Sequence, residues 1–160
     1  MHPTKNDIAA DVREKIIELL NSRLADGIDL MLQSKQAHWN VKGPSFIALH
    51  ELFDQVVDAV GDSVDEVAER VAQLGGVVEG TARLAAQRSN LAEYPHAISD
   101  GRDHVEALST ALAKFGKLVR GAIDQSDRLG DKGTADIFTE ISRTIDKLLW
   151  KVEAHHQAKT

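Results

Sequence analysis

Apolar side chains return every three or four residues along almost the whole chain, with charged and polar residues between them. That period is the helical one. A first helix is expected from a cap at Asn6 or Asp7 to about Trp39, on a stripe of Ile8, Val12, Ile16, Leu20, Leu24, Ile28 and Met31. Gly43-Pro44 breaks it and restarts the chain, with Pro44 suited to the first turn of a second helix. That helix carries Leu49, Phe53, Val56, Val60, Val64, Val67 and Val71 and should stop at Gly75-Gly76. Residues 77–98 form the longest connection, with a short helix over Thr81–Gln87 and an end at Tyr94-Pro95. Ser99 or Asp100 caps a third long helix on Val105, Leu108, Leu112, Phe115, Val119 and Ala122, closed by Gly130. Asp131 to Thr134 open a fourth, on Ile137, Ile141, Ile145, Leu148 and Val152.

Four long amphipathic helices with one long connection in the middle predict an all-α four-helix bundle, with a short extra helix in that connection. A long crossover at that point is the ferritin-like connectivity, which leaves the first two helices antiparallel and the last two antiparallel. The chain of 160 residues fits one domain, residues 1–160, led by a short tail over residues 1–7. Composition changes this picture little. No apolar run is long enough to cross a bilayer, and the first residues lack the apolar core of an export signal. The absence of cysteine excludes disulfides, thiolate metal sites and cysteine nucleophiles, and fits a reducing cytoplasm. A net charge of −6 disfavours broad adhesion to nucleic acid or anionic membrane.

The chemistry lies in the second helix. His50 and Asp54 are one turn apart, as are Asp65 and Glu69, and His38 lies close upstream in His38-Trp39-Asn40. Imidazole and carboxylate together suit a redox-active first-row metal such as iron, and would also hold zinc or cobalt. Each pair alone reads as a solvated helix surface; their combination on adjacent helices gives the reading its force. Eleven residues separate positions 54 and 65, roughly 16 Å along a helix. Ligands must lie within roughly 2 to 2.6 Å of their ion. One straight helix therefore cannot bring both pairs to one metal. If both pairs bind, the second comes from another copy of the helix, and the site is shared between subunits.

The segments Lys35-Gln36-Ala37-His38-Trp39-Asn40-Val41-Lys42-Gly43-Pro44, Phe46–Asp54 and Asp65–Arg70 resemble the signature of the Dps family, the DNA-binding proteins from starved cells or mini-ferritins. The likeness extends through Gln73–Gly76, Tyr94-Pro95, Thr134–Ile137 and Asp146–Trp150. It implies a ferroxidase centre in which His38, His50 and Asp54 of one subunit face Asp65 and Glu69 of a two-fold neighbour. It implies a hollow homododecamer that oxidises Fe(II), preferably with hydrogen peroxide rather than dioxygen, and stores ferric mineral in its cavity. Such a protein would guard DNA from oxidative damage. The Glu-x-x-His pattern of ordinary ferritins occurs only as Glu93-x-x-His96, interrupted by Pro95.

The resemblance also implies negative pores admitting iron near the junction of the last two helices, where Asp131 and Asp136 are the candidates and Asp127 a further one. Lys35, one turn before Trp39, could pair with a site carboxylate. Trp39 and Trp150 could take up stray oxidising equivalents; the plainer reading, taken here, is that they fill a subunit interface. His155-His156 reads as an adventitious metal binder. DNA binding in the family depends on lysine-rich tails. Here the tails offer Lys5 at one end and Lys159 at the other, so DNA binding is expected to be weak or absent. The competing function is a nucleoid-associated, DNA-condensing structural protein with a secondary metal site.

Overall fold

The structure, a computed structural model, describes residues 1–157; Lys159 lies outside the described residues. Five helices follow in order: α1 over Ala10–Asn40, α2 over Phe46–Gln73, α3 over Ala82–Arg88, α4 over Gly101–Arg128 and α5 over Lys132–Gln157. α1 packs chiefly on α2 and α4 on α5, and the two hairpins join through α1–α4 and α2–α5 contacts. This is the all-α, ferritin-like four-helix bundle, with α3 the extra helix lying on α1.

Each long helix turns its predicted stripe inward. Leu20, Leu24, Phe53, Val60, Leu108, Leu112, Phe138, Ile141 and Ile145 are all buried in one core. Side chains of this size contribute roughly 1.5 to 3 kcal/mol each when fully buried. The helix ends follow local chemistry. Asp100 caps α4 by accepting from the Arg102 N–H at 2.8 Å. Asp131 does the same for α5, accepting from the Thr134 N–H at 3.0 Å.

Two boundaries differ from expectation. α1 begins at Ala10 rather than just after Asn6 or Asp7. The Asn6 side chain instead accepts from the Ile8 N–H at 2.9 Å, a local turn that competes with helix. Residues 1–9 then lie against the end of α2. The His2 N–H donates to the Gly75 carbonyl at 2.7 Å, and Arg13 bridges the Ile8 and Leu74 carbonyls, each at 3.0 Å. Gly75 has φ +84°, and a Cβ there would meet the His2 carbonyl oxygen at 2.6 Å, so this contact requires glycine. Pro44 falls in the turn before α2, not in its first turn.

The long connection is tied to α1 by polar side chains. Asp26 is fully buried, paired with Arg23 at 2.7 Å and accepting from the Asn90 N–H at 2.6 Å. Asn21 holds the Val77 carbonyl and the Glu79 N–H, and Gln33 holds the Ala92 carbonyl. Buried polar groups satisfied in this way fix a segment that no apolar stripe orders.

Candidate metal centre

His38 lies in the last turn of α1 and His50 in the first turns of α2, on either side of the tight turn at Gly43. The two imidazoles stack, with centroids 3.7 Å apart and an interplanar angle of 22°. Phe46 tilts against His50 at 5.0 Å. The rings are locked reciprocally: His38 Nδ1 lies 2.8 Å from the His50 carbonyl oxygen, and His50 Nδ1 lies 2.9 Å from the His38 carbonyl oxygen. A carbonyl only accepts, so each Nδ1 carries the proton and each Nε2 presents a lone pair. This is the arrangement that readies imidazole for a metal: one nitrogen held by the protein, the other free.

Asp54 adds a carboxylate to the same end. Its Oδ1 lies 3.8 Å from His38 Nδ1 and is bonded by the Lys35 ammonium. That bond holds the Asp54 carboxyl below its ordinary value, against the opposing effect of burial. Lys35 is therefore paired with a site carboxylate.

Asp65 and Glu69 stand exposed further along α2. Position 65 is roughly 16 Å along the helix from position 54. Among the described residues of one subunit, no three His, Asp or Glu side chains are arranged to hold an ion. One chain brings together His38, His50 and Asp54, and leaves Asp65 and Glu69 apart from them. Two imidazoles with carboxylates form a donor set of borderline nitrogen and hard oxygen, which fits Fe(II) as a substrate.

The residues near the α4–α5 junction separate into different roles. Asp131 is only 2% exposed. Its Oδ1 accepts from Arg70 Nη2 at 2.8 Å and its Oδ2 from the Thr134 hydroxyl at 2.6 Å, while Arg70 Nε also reaches Thr134 Oγ1 at 3.0 Å. Asp131 thus ties α2 to the start of α5. Asp127 pairs with Lys132. Asp136 is exposed and lies near Glu66 and Glu140. Burial, then the charges of Glu140 and Asp136, push the Glu66 carboxyl above its ordinary value. Sequence reasoning missed Glu66 and Glu140; the i, i+4 spacing of Asp136 and Glu140 was the available signal. It also missed Arg70.

Trp39 and Trp150 are 65% and 62% exposed on the subunit, and Ile47 is 61% exposed. None of the three fills the subunit's own core. His96 pairs with Glu93 at 3.2 Å on the exposed connection, away from the two stacked imidazoles.

A ferritin-like domain profile matches residues 17–159, the class that bundle and site define. The chain is 46% identical over 159 residues to the DNA protection during starvation protein of Agrobacterium fabrum, covering 99% of this chain and 98% of that one. It superposes on DpsA14 from Streptomyces coelicolor with a TM-score of 0.92 at 34% identity, covering 97% and 92% of the two chains. For Dps from Microbacterium arborescens in its high iron form the TM-score is 0.87 at 30% identity, covering 97% and 99%. The chain belongs to the Dps proteins of the ferritin-like family.

Proposed function

We propose that the protein is a ferroxidase and iron-storage subunit. His38, His50 and Asp54 of one subunit would bind Fe(II) together with Asp65 and Glu69 of a two-fold neighbour, forming a di-iron centre. The observation that carries this reading is the reciprocal His38–His50 lock, which engages both Nδ1 atoms with backbone carbonyls and leaves both Nε2 atoms for a metal, on the end of the helix pair that also carries Asp54. The helix arithmetic supplies the sharing, since the second acidic pair cannot reach the same ion from the same chain. Exposed Trp39, Ile47 and Trp150 supply apolar surface for such a neighbour to cover. A cytoplasmic homododecamer enclosing a ferric mineral is the assembly that follows from the family.

Hydrogen peroxide is the proposed oxidant, with dioxygen the slower one. Two Fe(II) ions give one electron each, the O–O bond of peroxide breaks, and two protons complete two waters. Pairing the electrons avoids release of hydroxyl radical, which is how the protein would protect DNA. Carboxylates offset the growing charge on iron as Fe(III) forms. Asp136, with Glu66 and Glu140 beside it and Asp127 nearby in sequence, is the proposed route for iron, since a negative surface concentrates cations. Asp131 serves by holding the junction. Trp39 and Trp150 would fill the subunit interface, with interception of stray oxidising equivalents as the second reading.

The alternative, a DNA-condensing structural protein, would use its tails. Residues 1–9 are bonded to the body at Gly75 and through Arg13, and offer Lys5 as their one lysine. We expect no tight duplex binding near 0.15 M salt at neutral pH, with any affinity rising as salt falls. The test of the main reading is rapid mixing of Fe(II) with peroxide under exclusion of oxygen. Two Fe(II) consumed per peroxide, with loss of the fast phase in His50→Ala/Asp54→Ala, is the expected result. An intact double variant that keeps the fast phase would overturn it.

A further inference from the structure

The last turn of α5 meets the first turn of α4 at the end of the bundle that carries the α1–α2 loop. Lys42, Arg102, His155 and His156 line a cleft of about 360 Å³ there, together with Gly101 at the start of α4 and Asp100. Asp100 turns one carboxylate oxygen to its own helix as the cap of Arg102. The 28-residue α4 directs its N-terminal, positive end into the same space.

The two imidazoles are oriented by backbone. His156 Nε2 lies 2.9 Å from the Arg102 carbonyl oxygen, and His155 Nδ1 lies 3.1 Å from the Lys151 carbonyl oxygen. Each of these nitrogens must donate, because a carbonyl only accepts. In the neutral rings the remaining nitrogens, His156 Nδ1 and His155 Nε2, carry lone pairs that repel an anion. Protonation converts both into N–H donors and adds two charges beside Lys42 and Arg102.

We propose that this corner is a proton-linked phosphate-binding site: Lys42 and Arg102 supply fixed positive charge, and His155 and His156 complete the donor set only as imidazolium. The ligand is a phosphate group, from a nucleic-acid backbone or from free inorganic phosphate. Binding takes up protons, so affinity rises as pH falls. The charged groups about the rings are Lys151 and Glu153 on α5, Asp100, Arg102 and Asp103 on α4, and Lys42 on the α1–α2 loop. No residue of the proposed iron site lines this cleft, so the inference does not depend on the iron chemistry. It gives the weak DNA affinity proposed above a place and a pH dependence.

The experiment uses the assembled protein and two probes, a short duplex DNA and inorganic phosphate. The phosphodiester does not titrate between pH 6.0 and 7.5, so a change in duplex affinity over that range reports protons taken up by the protein. At about 0.05 M salt, where screening is modest, duplex affinity should rise about tenfold or more from pH 7.5 to 6.0. His155→Gln/His156→Gln should flatten that rise, because glutamine keeps the donor to the backbone carbonyl but cannot gain a charge. His2→Gln/His96→Gln, which removes imidazoles outside the cleft, should retain it. Lys42→Gln/Arg102→Gln should lower affinity at both pH values. Displacement of the duplex by inorganic phosphate at pH 6.0 supports one shared cleft. Saturable phosphate binding without duplex retention, lost in the same variants, assigns the free anion as the ligand. A wild-type pH response in His155→Gln/His156→Gln, or no binding of either probe at pH 6.0, overturns the proposal.

Discussion

His38 and His50 are fixed before any metal arrives: their rings stack, each Nδ1 is bonded to the other residue's carbonyl, and Asp54 is engaged by Lys35. Asp65 and Glu69, on the same α2 helix, stand exposed on its later turns. The histidine half has lost its rotamer freedom on folding, so holding it in place costs little at the moment of binding. The acidic half keeps that freedom; under the proposed function it would gain an ordered role only when a partner subunit and an ion fix it. The difference teaches that the two candidate ligand groups are not equally prepared: if the proposed site is divided between chains, the histidine half would orient and the acidic half would close.

The test with the largest expected effect breaks the two halves apart. His50→Ala/Asp54→Ala and Asp65→Ala/Glu69→Ala should each lose about 100-fold or more in rapid Fe(II) oxidation, beyond the 10- to 100-fold that losing an outer partner of a ligand costs. Mixing the two dead proteins through dissociation and reassembly should then restore activity. In a mixed dimer one of the two centres receives an intact histidine half and an intact acidic half. Random mixing makes about half of the dimers mixed, so about a quarter of the wild-type fast phase should return. No recovery in reassembled shells would show that both halves act within one chain or that Asp65 and Glu69 bind elsewhere.

A smaller effect concerns what holds the acidic half from behind. Arg70, next to Glu69, reaches across to Asp131 and Thr134, and so sets the rotation of that part of α2. Asp131→Ala leaves the Arg70 guanidinium facing a buried gap. Removing one partner of a buried pair costs about 3 to 5 kcal/mol, and Arg70 retains some solvent access, so about 3 kcal/mol is expected. Urea unfolding should show the midpoint fall. Asp131→Asn should recover part of the loss through its remaining hydrogen bonds. A midpoint unchanged in Asp131→Ala would mean the latch carries no load and would return Asp131 to the iron-entry role expected from sequence.

A third histidine lies in the core, against the long connection. His104 is buried, and its Nδ1 is hydrogen-bonded to the Tyr94 hydroxyl at 2.8 Å. Burial lowers its pKa below the ordinary 6.5, against the opposing charge of Asp103 and the carbonyls of Asn40 and Ile98. In the window between the lowered value and 6.5 the unfolded chain binds a proton that the folded chain refuses. His104 therefore supports stability fully above pH 6.5, and this contribution is lost as pH falls toward the folded value. The slope is at most about 1.4 kcal/mol per pH unit for one group. Unfolding free energies compared between pH 7.5 and 5.5 should be flatter for His104→Gln than for the wild type. Equal slopes would place the acid sensitivity elsewhere.

Much of this was readable in the chain because its determinants are local. The stripes of α1, α2, α4 and α5 repeat over more than twenty residues, and Asp100 marks its helix start next to it in sequence. His50 with Asp54 and Asp65 with Glu69 announce themselves through i, i+4 spacing. What escaped depends on groups far apart. The His38–His50 lock uses backbone carbonyls twelve positions away, which leave no side-chain signature. Asp131 reads as a surface acid until Arg70, 61 residues earlier, is brought against it. Asn6 looks like a helix cap, but its turn is stabilised by the docking of His2 on Gly75, a tertiary contact.

The smallest effect expected lies in the supply of iron to both halves. Asp136 is exposed near Glu66 and Glu140, and the Glu66 carboxyl is raised first by burial and then by the charges of Glu140 and Asp136. Such a cluster draws cations through its field, which salt screens over about 10 Å at 0.1 M. Asp136→Asn/Glu140→Gln keeps the shape and removes two charges per subunit. Mineral formation in the assembled protein should slow by about threefold to tenfold at low salt, within the range electrostatic steering supplies. It should slow much less at about 0.5 M salt, where the wild type has lost the same advantage. The single-turnover rate at the metal centre should be unchanged, because neither residue is a proposed ligand. That separation distinguishes a route from a site: equal slowing at both salt concentrations would make Asp136 and Glu140 structural, and a lost first turnover would make them part of the chemistry.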